Sequence, residues 1–101
     1  MDIGEWRRKI DELDRKLVDL LNQRAQAAHE IGRLKRHSNL PIYEPDRERT
    51  VFANVGAANR GPLDEADLHH IYESVMRVMR RIQKDEIVAD AAAGKAGPDA
   101  L

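Results

Sequence analysis

The stretch LVDLLNQRAQAAHEIGRLK, residues 17–35, carries the spacing that decides the fold. Apolar residues recur there at alternating steps of three and four, and the same pattern extends back to the N-terminus. Its apolar positions are Ile3, Trp6, Ile10, Leu13, Leu17, Leu20, Ala27, Ile31 and Leu34. A period of about 3.5 residues is typical of a long helix with a narrow apolar seam that packs against other helices. The position due between Leu20 and Ala27 holds Arg24, so a guanidinium lies where the seam predicts a core residue.

The chain is predicted to form three helices and a tail, and it shows no strand pattern. The helices run from about Ile3 to about Ser38, from about Pro45 to Ala58, and from an N-cap at Asp64 to about Val88. Asn39 and Pro41 end the first helix, and Gly61-Pro62 separates the second from the third. Residues 1–88 therefore form one predicted helical domain. Residues 89–101 have small side chains and no large apolar face, so we expect a disordered tail.

The length of the first helix predicts a dimer. A helix of about 36 residues is about 54 Å long at about 1.5 Å per residue, much longer than a globule of this size is wide. The short second helix and the medium third helix of the same chain cannot cover the whole seam. The sequence therefore predicts an all-α homodimer, in which the two long helices pack together and the remaining helices wrap around them.

Composition narrows the class of protein. The 101 residues include 17 Lys and Arg against 18 Asp and Glu, a net charge of −1. This balance gives no general attraction to nucleic acid or to anionic lipid, so neither is an expected partner. The absence of cysteine excludes disulfides, thiolate metal sites and thiol nucleophiles, and it fits a reducing cytoplasm. We find no signal peptide and no membrane span, so the expected location is cytoplasmic.

Four polar residues point toward the predicted helical core. Lys35 follows Arg24 by three helical turns, so the two side chains project about 20° and about 16 Å apart on one face. Considered alone, Arg24 is explained by an internal carboxylate partner or by a side chain that reaches water. Glu48, however, shares a face with Val55, and Gln83 continues the apolar face of the third helix. Because these four polar side chains are predicted to converge, they indicate a binding site rather than four unrelated polar residues in an apolar core.

Three runs of residues carry a resemblance to a known family. They are RRKIDELDRKLVDLLNQRAQAAHEIGRLK (7–35), PIYEPDRER (41–49) and IYESVMRVMRRIQ (71–83). Together they resemble the all-helical chorismate mutases of the AroQ class, type II, over about residues 5 to 86. That family consists of three-helix chains that form an intertwined homodimer with two active sites at the interface. The resemblance therefore agrees with the dimer inferred from helix length.

The resemblance implies an isomerase that converts chorismate to prephenate in phenylalanine and tyrosine biosynthesis. This Claisen rearrangement is intramolecular, so it implies no nucleophile, general base, cofactor or metal. The enzyme must hold the reactive conformer of chorismate and stabilise the negative charge that develops on the ether oxygen. Arginine suits the two substrate carboxylates because its planar fork binds them through two hydrogen bonds.

Individual roles follow from the resemblance, residue by residue. Arg24 would bind a substrate carboxylate, and Arg47 would support that end of the substrate. Lys35 would reach both a carboxylate and the ether oxygen, to which Gln83 would donate from the opposite side. Glu48 would hold the ring hydroxyl. Because Gln83 is a neutral amide that donates at any ordinary pH, we expect activity at neutral pH without an acid optimum.

Three further positions complete the expected substrate site. Arg7 matches an arginine that the family contributes from the other subunit, and its distance of about 25 Å from Arg24 along one helix excludes a shared site in cis. Glu44 lies where relatives often carry aspartate. Met79 lies where many relatives carry a serine that binds a substrate carboxylate. We therefore expect weaker substrate binding or a compensating hydrogen-bond donor.

Two other functions fit the same residues. An isochorismate-pyruvate lyase resembles this family and uses a similar arginine-lysine pocket around a dianion, and Met79 slightly favours that interpretation. A helical dimerisation or regulatory module without catalysis is the other alternative. The presence of Arg24, Lys35 and Gln83 counts against the module.

Overall fold

The computed structural model describes the backbone of residues 1–100 and the side chains of residues 1–88. Its helices are α1 (Ile3–Ser38), α2 (Pro45–Ala58) and α3 (Glu65–Ala100), and the described residues contain no strand. The all-α prediction and the bounds predicted for α1 and α2 are confirmed. None of the helices in this part of the chain combines the length and the apolar character needed to cross a membrane.

Local capping interactions explain where α1 begins and ends, and a proline explains where α2 begins. The side chain of Asp2 caps α1, since its Oδ1 accepts a hydrogen bond of 2.8 Å from the backbone N–H of Glu5. Asn39 ends α1 in the left-handed region, with φ 56°, a conformation that asparagine tolerates better than most residues. Pro45 occupies the first turn of α2, where its missing N–H has no helical partner to lose.

The third helix is longer than the sequence predicts. We expected it to end near Val88, whereas α3 continues to Ala100 and equals α1 at 36 residues. The high helix propensity of Ala91, Ala92 and Ala93 favours continuation of the helix past Val88. The division of the chain into a domain of residues 1–88 and a tail of residues 89–101 stays a prediction.

A single chain leaves much of α1 uncovered. The structure measures 63 × 31 × 15 Å, and its shortest dimension is little more than the width of one helix. α3 packs against both α1 and α2, and the buried apolar residues are Ala28, Val51, Met76 and Met79. The seam residues Ile3, Trp6, Ile10, Leu13, Leu17 and Leu20 are 49 to 68% exposed. The apolar core of this chain is therefore confined to the end of α1 that contacts α3.

Candidate active site

A cleft of about 260 Å³ lies between α1, α3 and the N-terminal part of α2. Its lining includes seven of the eight residues that the sequence predicts for the site: Arg24, Lys35, Glu44, Arg47, Glu48, Met79 and Gln83. The structure does not bring Arg7 to this cleft, because Arg7 lies in the exposed N-terminal part of α1. The cleft also has lining residues that were not predicted for the site, namely Arg80 and the apolar residues Ile31, Ile42, Val51 and Met76.

Lys35 is the most firmly held polar side chain of the cleft. It is only 6% exposed, and its Nζ donates to the backbone carbonyl of Ile42 at 3.1 Å and to Oε1 of Gln83 at 2.9 Å. Nζ also lies 2.8 Å from Oε1 of Glu44, which precedes α2. An ammonium has three N–H donors, so these contacts fix its position and offset the cost of burying its charge.

Gly32 allows α3 to approach α1 closely beside Lys35. A Cβ atom at position 32 would lie 3.1 Å from Cα of Gln83 and 3.2 Å from its carbonyl oxygen. Both are backbone atoms and cannot move aside as a flexible side chain would. Gly32 therefore permits the contact between Lys35 and Gln83.

Glu48 and Arg80 form a hydrogen-bonded ion pair across the cleft between α2 and α3. The Cζ atom of Arg80 lies 5.3 Å from the centre of the Tyr43 ring, within the range of a cation–π contact. Arg80 was not among the residues that the sequence predicts for the site. Its spacing could have identified it, because Arg80 is one helical turn from both Met76 and Gln83.

The cleft has an excess of positive charge. Four cationic residues line it, Arg24, Lys35, Arg47 and Arg80, against the two carboxylates of Glu44 and Glu48. Within the described part of the chain, Arg24 and Arg47 make no ion pair, so an internal partner does not explain the seam position of Arg24. An excess of two positive charges in a cleft with apolar walls suits a compact dianion.

A second charged cluster joins α1 to α3 one turn beyond Gln83. The carboxylate of Glu86 accepts from Arg33 Nε at 3.2 Å and from Arg36 Nη1 at 3.1 Å, and His29 Nδ1 lies 3.1 Å from it. The hydrogen bond with His29, followed by that with Arg33, lowers the pKa of Glu86 below its ordinary value of 4.5. The cluster thus holds the two helices together next to the cleft.

Comparison with known proteins agrees with this arrangement. The family described as chorismate mutase type II matches residues 6–84. The chain is 35% identical to the bifunctional chorismate mutase/prephenate dehydratase of Aquifex aeolicus over 92 residues, which cover 87% of this chain and 25% of that protein. It is 32% identical to the chorismate mutase of Methanocaldococcus jannaschii over 53 residues, 52% of this chain and 54% of that protein.

Two solved structures share the fold. Chorismate mutase (form II) from Thermus thermophilus has a TM-score of 0.79 at 28% identity, covering 81% of this chain and 93% of that chain. Chorismate mutase from Helicobacter pylori, in complex with prephenate, has a TM-score of 0.77 at 29% identity, covering 84% and 92%. The chain spans about a quarter of the length of the bifunctional relative from Aquifex aeolicus. Because the family match covers most of the chain and includes the whole lining of the cleft, the chain belongs to the chorismate mutase type II family.

Proposed function

We propose that this protein is a chorismate mutase, which rearranges chorismate to prephenate for phenylalanine and tyrosine biosynthesis in the cytoplasm. The observation that carries the proposal is the contact of Lys35 with Gln83 in a cleft that has an excess of two positive charges. The relative from Helicobacter pylori was solved with prephenate, which supports the same ligand class for this cleft.

The arginines supply the conformational restraint. Chorismate carries two carboxylates, and the reaction needs both held while its chain folds over the ring. Arg24 binds one carboxylate, and Arg47, which is more exposed, supports that end of the substrate from the rim. Holding the two reacting ends together removes much of the entropic part of the barrier.

Lys35 and Gln83 supply the electrostatic stabilisation. The amide oxygen of Gln83 already accepts from Lys35, so its NH₂ group is the end that donates to the ether oxygen. Lys35 contributes its charge from the other side. The NH₂ group of Gln83 is oriented before substrate binds because Lys35 holds its amide oxygen, and removing one such preorganised donor typically lowers kcat by about 10²- to 10³-fold.

The two carboxylates of the cleft hold the ring hydroxyl of the substrate and the ammonium of Lys35. Glu48 accepts the hydrogen bond of the ring hydroxyl while Arg80 holds its carboxylate in place. Glu44 keeps Lys35 at the junction of α1 and α2. Each carboxylate therefore has a cationic neighbour that compensates its charge beside a dianionic substrate.

We further propose that the functional form is an intertwined homodimer. The apolar seam of α1 is about half exposed in one chain, which is unfavourable for so many large side chains. A partner chain that packs its own α1 against this seam would bury them. In an antiparallel arrangement, Arg7 of the second chain would reach the cleft near Arg24 and complete the carboxylate site.

Isochorismate-pyruvate lyase activity is the second candidate. Met79 is 6% exposed, lines the cleft and has no hydrogen-bond donor to offer a carboxylate. Met79 in place of the serine of many relatives is the feature that favours this candidate.

The test is an assay of the purified protein at neutral pH with chorismate and, separately, isochorismate, with products separated by chromatography. Arg24→Ala is the site variant, and Arg15→Ala, an exposed arginine on the same helix, is its control. We expect prephenate from chorismate, lost in Arg24→Ala and retained in Arg15→Ala. Salicylate and pyruvate from isochorismate with little prephenate would establish the lyase instead, and a folded protein inactive on both would support the module.

A further inference from the structure

In the proposed function, Arg80 acts only as the partner of Glu48 and as one of the four cationic groups of the cleft. It lies on α3 between the buried Met76 and Gln83, and its side chain is 32% exposed. Arg80 also lines the cleft, so its partly exposed side chain borders the space that a ligand would occupy. Arg80 is therefore placed where a bound ligand would meet it.

Two contacts fix the guanidinium. Its Nη1 donates to Oε2 of Glu48, and its Cζ lies 5.3 Å from the centre of the Tyr43 ring. The bond to Glu48 uses one N–H of the five that a guanidinium carries. Because the plane is already oriented, the remaining donors can bind a carboxylate with less loss of side-chain freedom than a solvated arginine would incur.

Arg80 supplies a large share of the positive charge that this chain brings to the cleft. Without it, the cations Arg24, Lys35 and Arg47 would face Glu44 and Glu48, an excess of only one positive charge. Within one chain, that excess would match only one carboxylate of a dianion. The neighbouring Met79 offers no donor, so within this chain the α3 wall has Arg80 as its cationic group.

From this geometry we infer that Arg80 is a substrate-binding residue that contacts a carboxylate of the dianion and determines how tightly the dianion binds. The inference rests on the proposed function for the identity of the dianion. A charge-assisted contact of this kind is typically worth about 10- to 100-fold in binding. Its loss should raise KM by that factor, with a smaller effect on kcat.

The experiment compares Arg80→Gln and Arg80→Lys with the control Arg77→Gln, an exposed arginine one turn earlier on α3. Circular dichroism and thermal melting establish that each variant is folded, and Arg80→Lys, which keeps the charge, serves if Arg80→Gln does not fold. We expect KM for chorismate to rise by about 10- to 100-fold in Arg80→Gln. Arg80→Lys should recover part of that loss, and Arg77→Gln should match the wild type.

A double-mutant cycle with Glu48→Gln separates direct binding from an effect through Glu48. If Arg80 binds the substrate, Arg80→Gln still raises KM in the Glu48→Gln background. If the effect disappears in that background, Arg80 only positions Glu48 and the inference is overturned. An unchanged KM in Arg80→Gln would also overturn it.

Calorimetric titration with prephenate distinguishes this inference from the proposed function. Binding of prephenate that weakens in Arg80→Gln, without turnover of chorismate by the wild type, would support the role of Arg80 and refute the mutase. Turnover of chorismate by the wild type, with a KM that Arg80→Gln leaves unchanged, would support the mutase and refute the role of Arg80. A wild-type protein that neither binds prephenate nor converts chorismate would refute both.

Discussion

Nζ of Lys35 donates a hydrogen bond of 2.9 Å to Oε1 of Gln83, beside the close approach of α1 and α3 that Gly32 permits. Because the amide oxygen of Gln83 accepts from Lys35, the NH₂ group is the end of the amide that remains to donate to a ligand. Because both side chains extend from helices, their relative position is fixed by the packing of those helices. The pH dependence and the packing of the site can both be tested through this pair.

Gln83→Glu should convert an enzyme active at neutral pH into one with an acid optimum. A carboxylate at this position would pair with Lys35 and present negative charge to the ether oxygen, so it could donate only after protonation. We expect kcat at pH 7 to fall by about 10²- to 10³-fold and to recover toward pH 5, as seen in pH–rate profiles. Gln26→Glu, at an exposed site on α1, makes the same charge change and should leave the profile unaltered. A wild-type rate that rises steeply toward pH 5 would contradict the role of Gln83.

Gly32→Ala should destabilise the protein and slow the reaction. The added Cβ would meet the backbone of Gln83 at 3.1 Å, which pushes α3 away from α1 and lengthens the contact with Lys35. Overpacking of this kind costs about 1–3 kcal/mol, measurable by urea denaturation. Gly56→Ala in α2 is the matched control, since a Cβ there meets nothing within 4 Å, and it should stabilise slightly. Equal effects of the two substitutions would refute this account.

Leu17→Glu should dissociate the proposed homodimer and abolish activity together. Leu17 is 54% exposed in one chain and lies in the middle of the uncovered seam, where a partner chain would bury it. A carboxylate buried there without a partner would be strongly unfavourable. Sedimentation velocity gives the mass, and Lys16→Glu, on the exposed side of the same turn, should remain dimeric. A fully active wild-type monomer would disprove both the dimer and the contribution of Arg7 in trans.

Glu86→Gln should remove part of the acid dependence of stability. Hydrogen bonds with His29 and Arg33 lower the pKa of Glu86 in the folded state, so its ionised form favours folding. That contribution is complete at pH values above the ordinary pKa of 4.5 and is lost as pH falls through the lower pKa of the folded state. The melting temperature of Glu86→Gln should therefore lie below that of the wild type at neutral pH, and the difference should shrink in acid.

Glu12→Gln is the control for Glu86→Gln. Its carboxylate is exposed and lies 3.9 Å from Lys9, so a small and nearly pH-independent change is expected. A melting-temperature difference for Glu86→Gln that stays constant from neutral to acid pH would show that the charge of Glu86 is not what stabilises the helix pair.

Met79→Ser should tighten substrate binding while it weakens the fold. The serine hydroxyl would supply a donor in the cleft, and the lost side-chain volume would leave a cavity that costs about 2–5 kcal/mol. Met79→Ala creates a similar cavity without the hydroxyl. We expect both variants to melt at lower temperature but only Met79→Ser to lower KM for chorismate. Equal KM values in the two variants would show that the hydroxyl gives no benefit here.

The sequence by itself determined the helices and most of the cleft lining. The apolar spacing and the capping residues predict α1 and α2. Helix periodicity, an N-cap and a proline at a helix start each depend only on residues that are close together in the chain. Arg24 stood out because it breaks the seam, and Glu48 because it lies on an apolar face. These signals are local, and they required no knowledge of which helix packs against which.

Tertiary structure decided which groups meet. The pairing of Arg80 with Glu48 joins α2 to α3 over 32 positions, and that of Lys35 with Gln83 joins α1 to α3 over 48. No periodicity within one helix specifies such a contact, since it depends on the crossing of two helices and on the space that Gly32 leaves between them. A charged residue in a polar run, such as Arg80, becomes part of a site only when a neighbouring helix supplies its partner. That is why the sequence pattern singled out Arg24, which interrupts an apolar seam, and did not single out Arg80, which interrupts none.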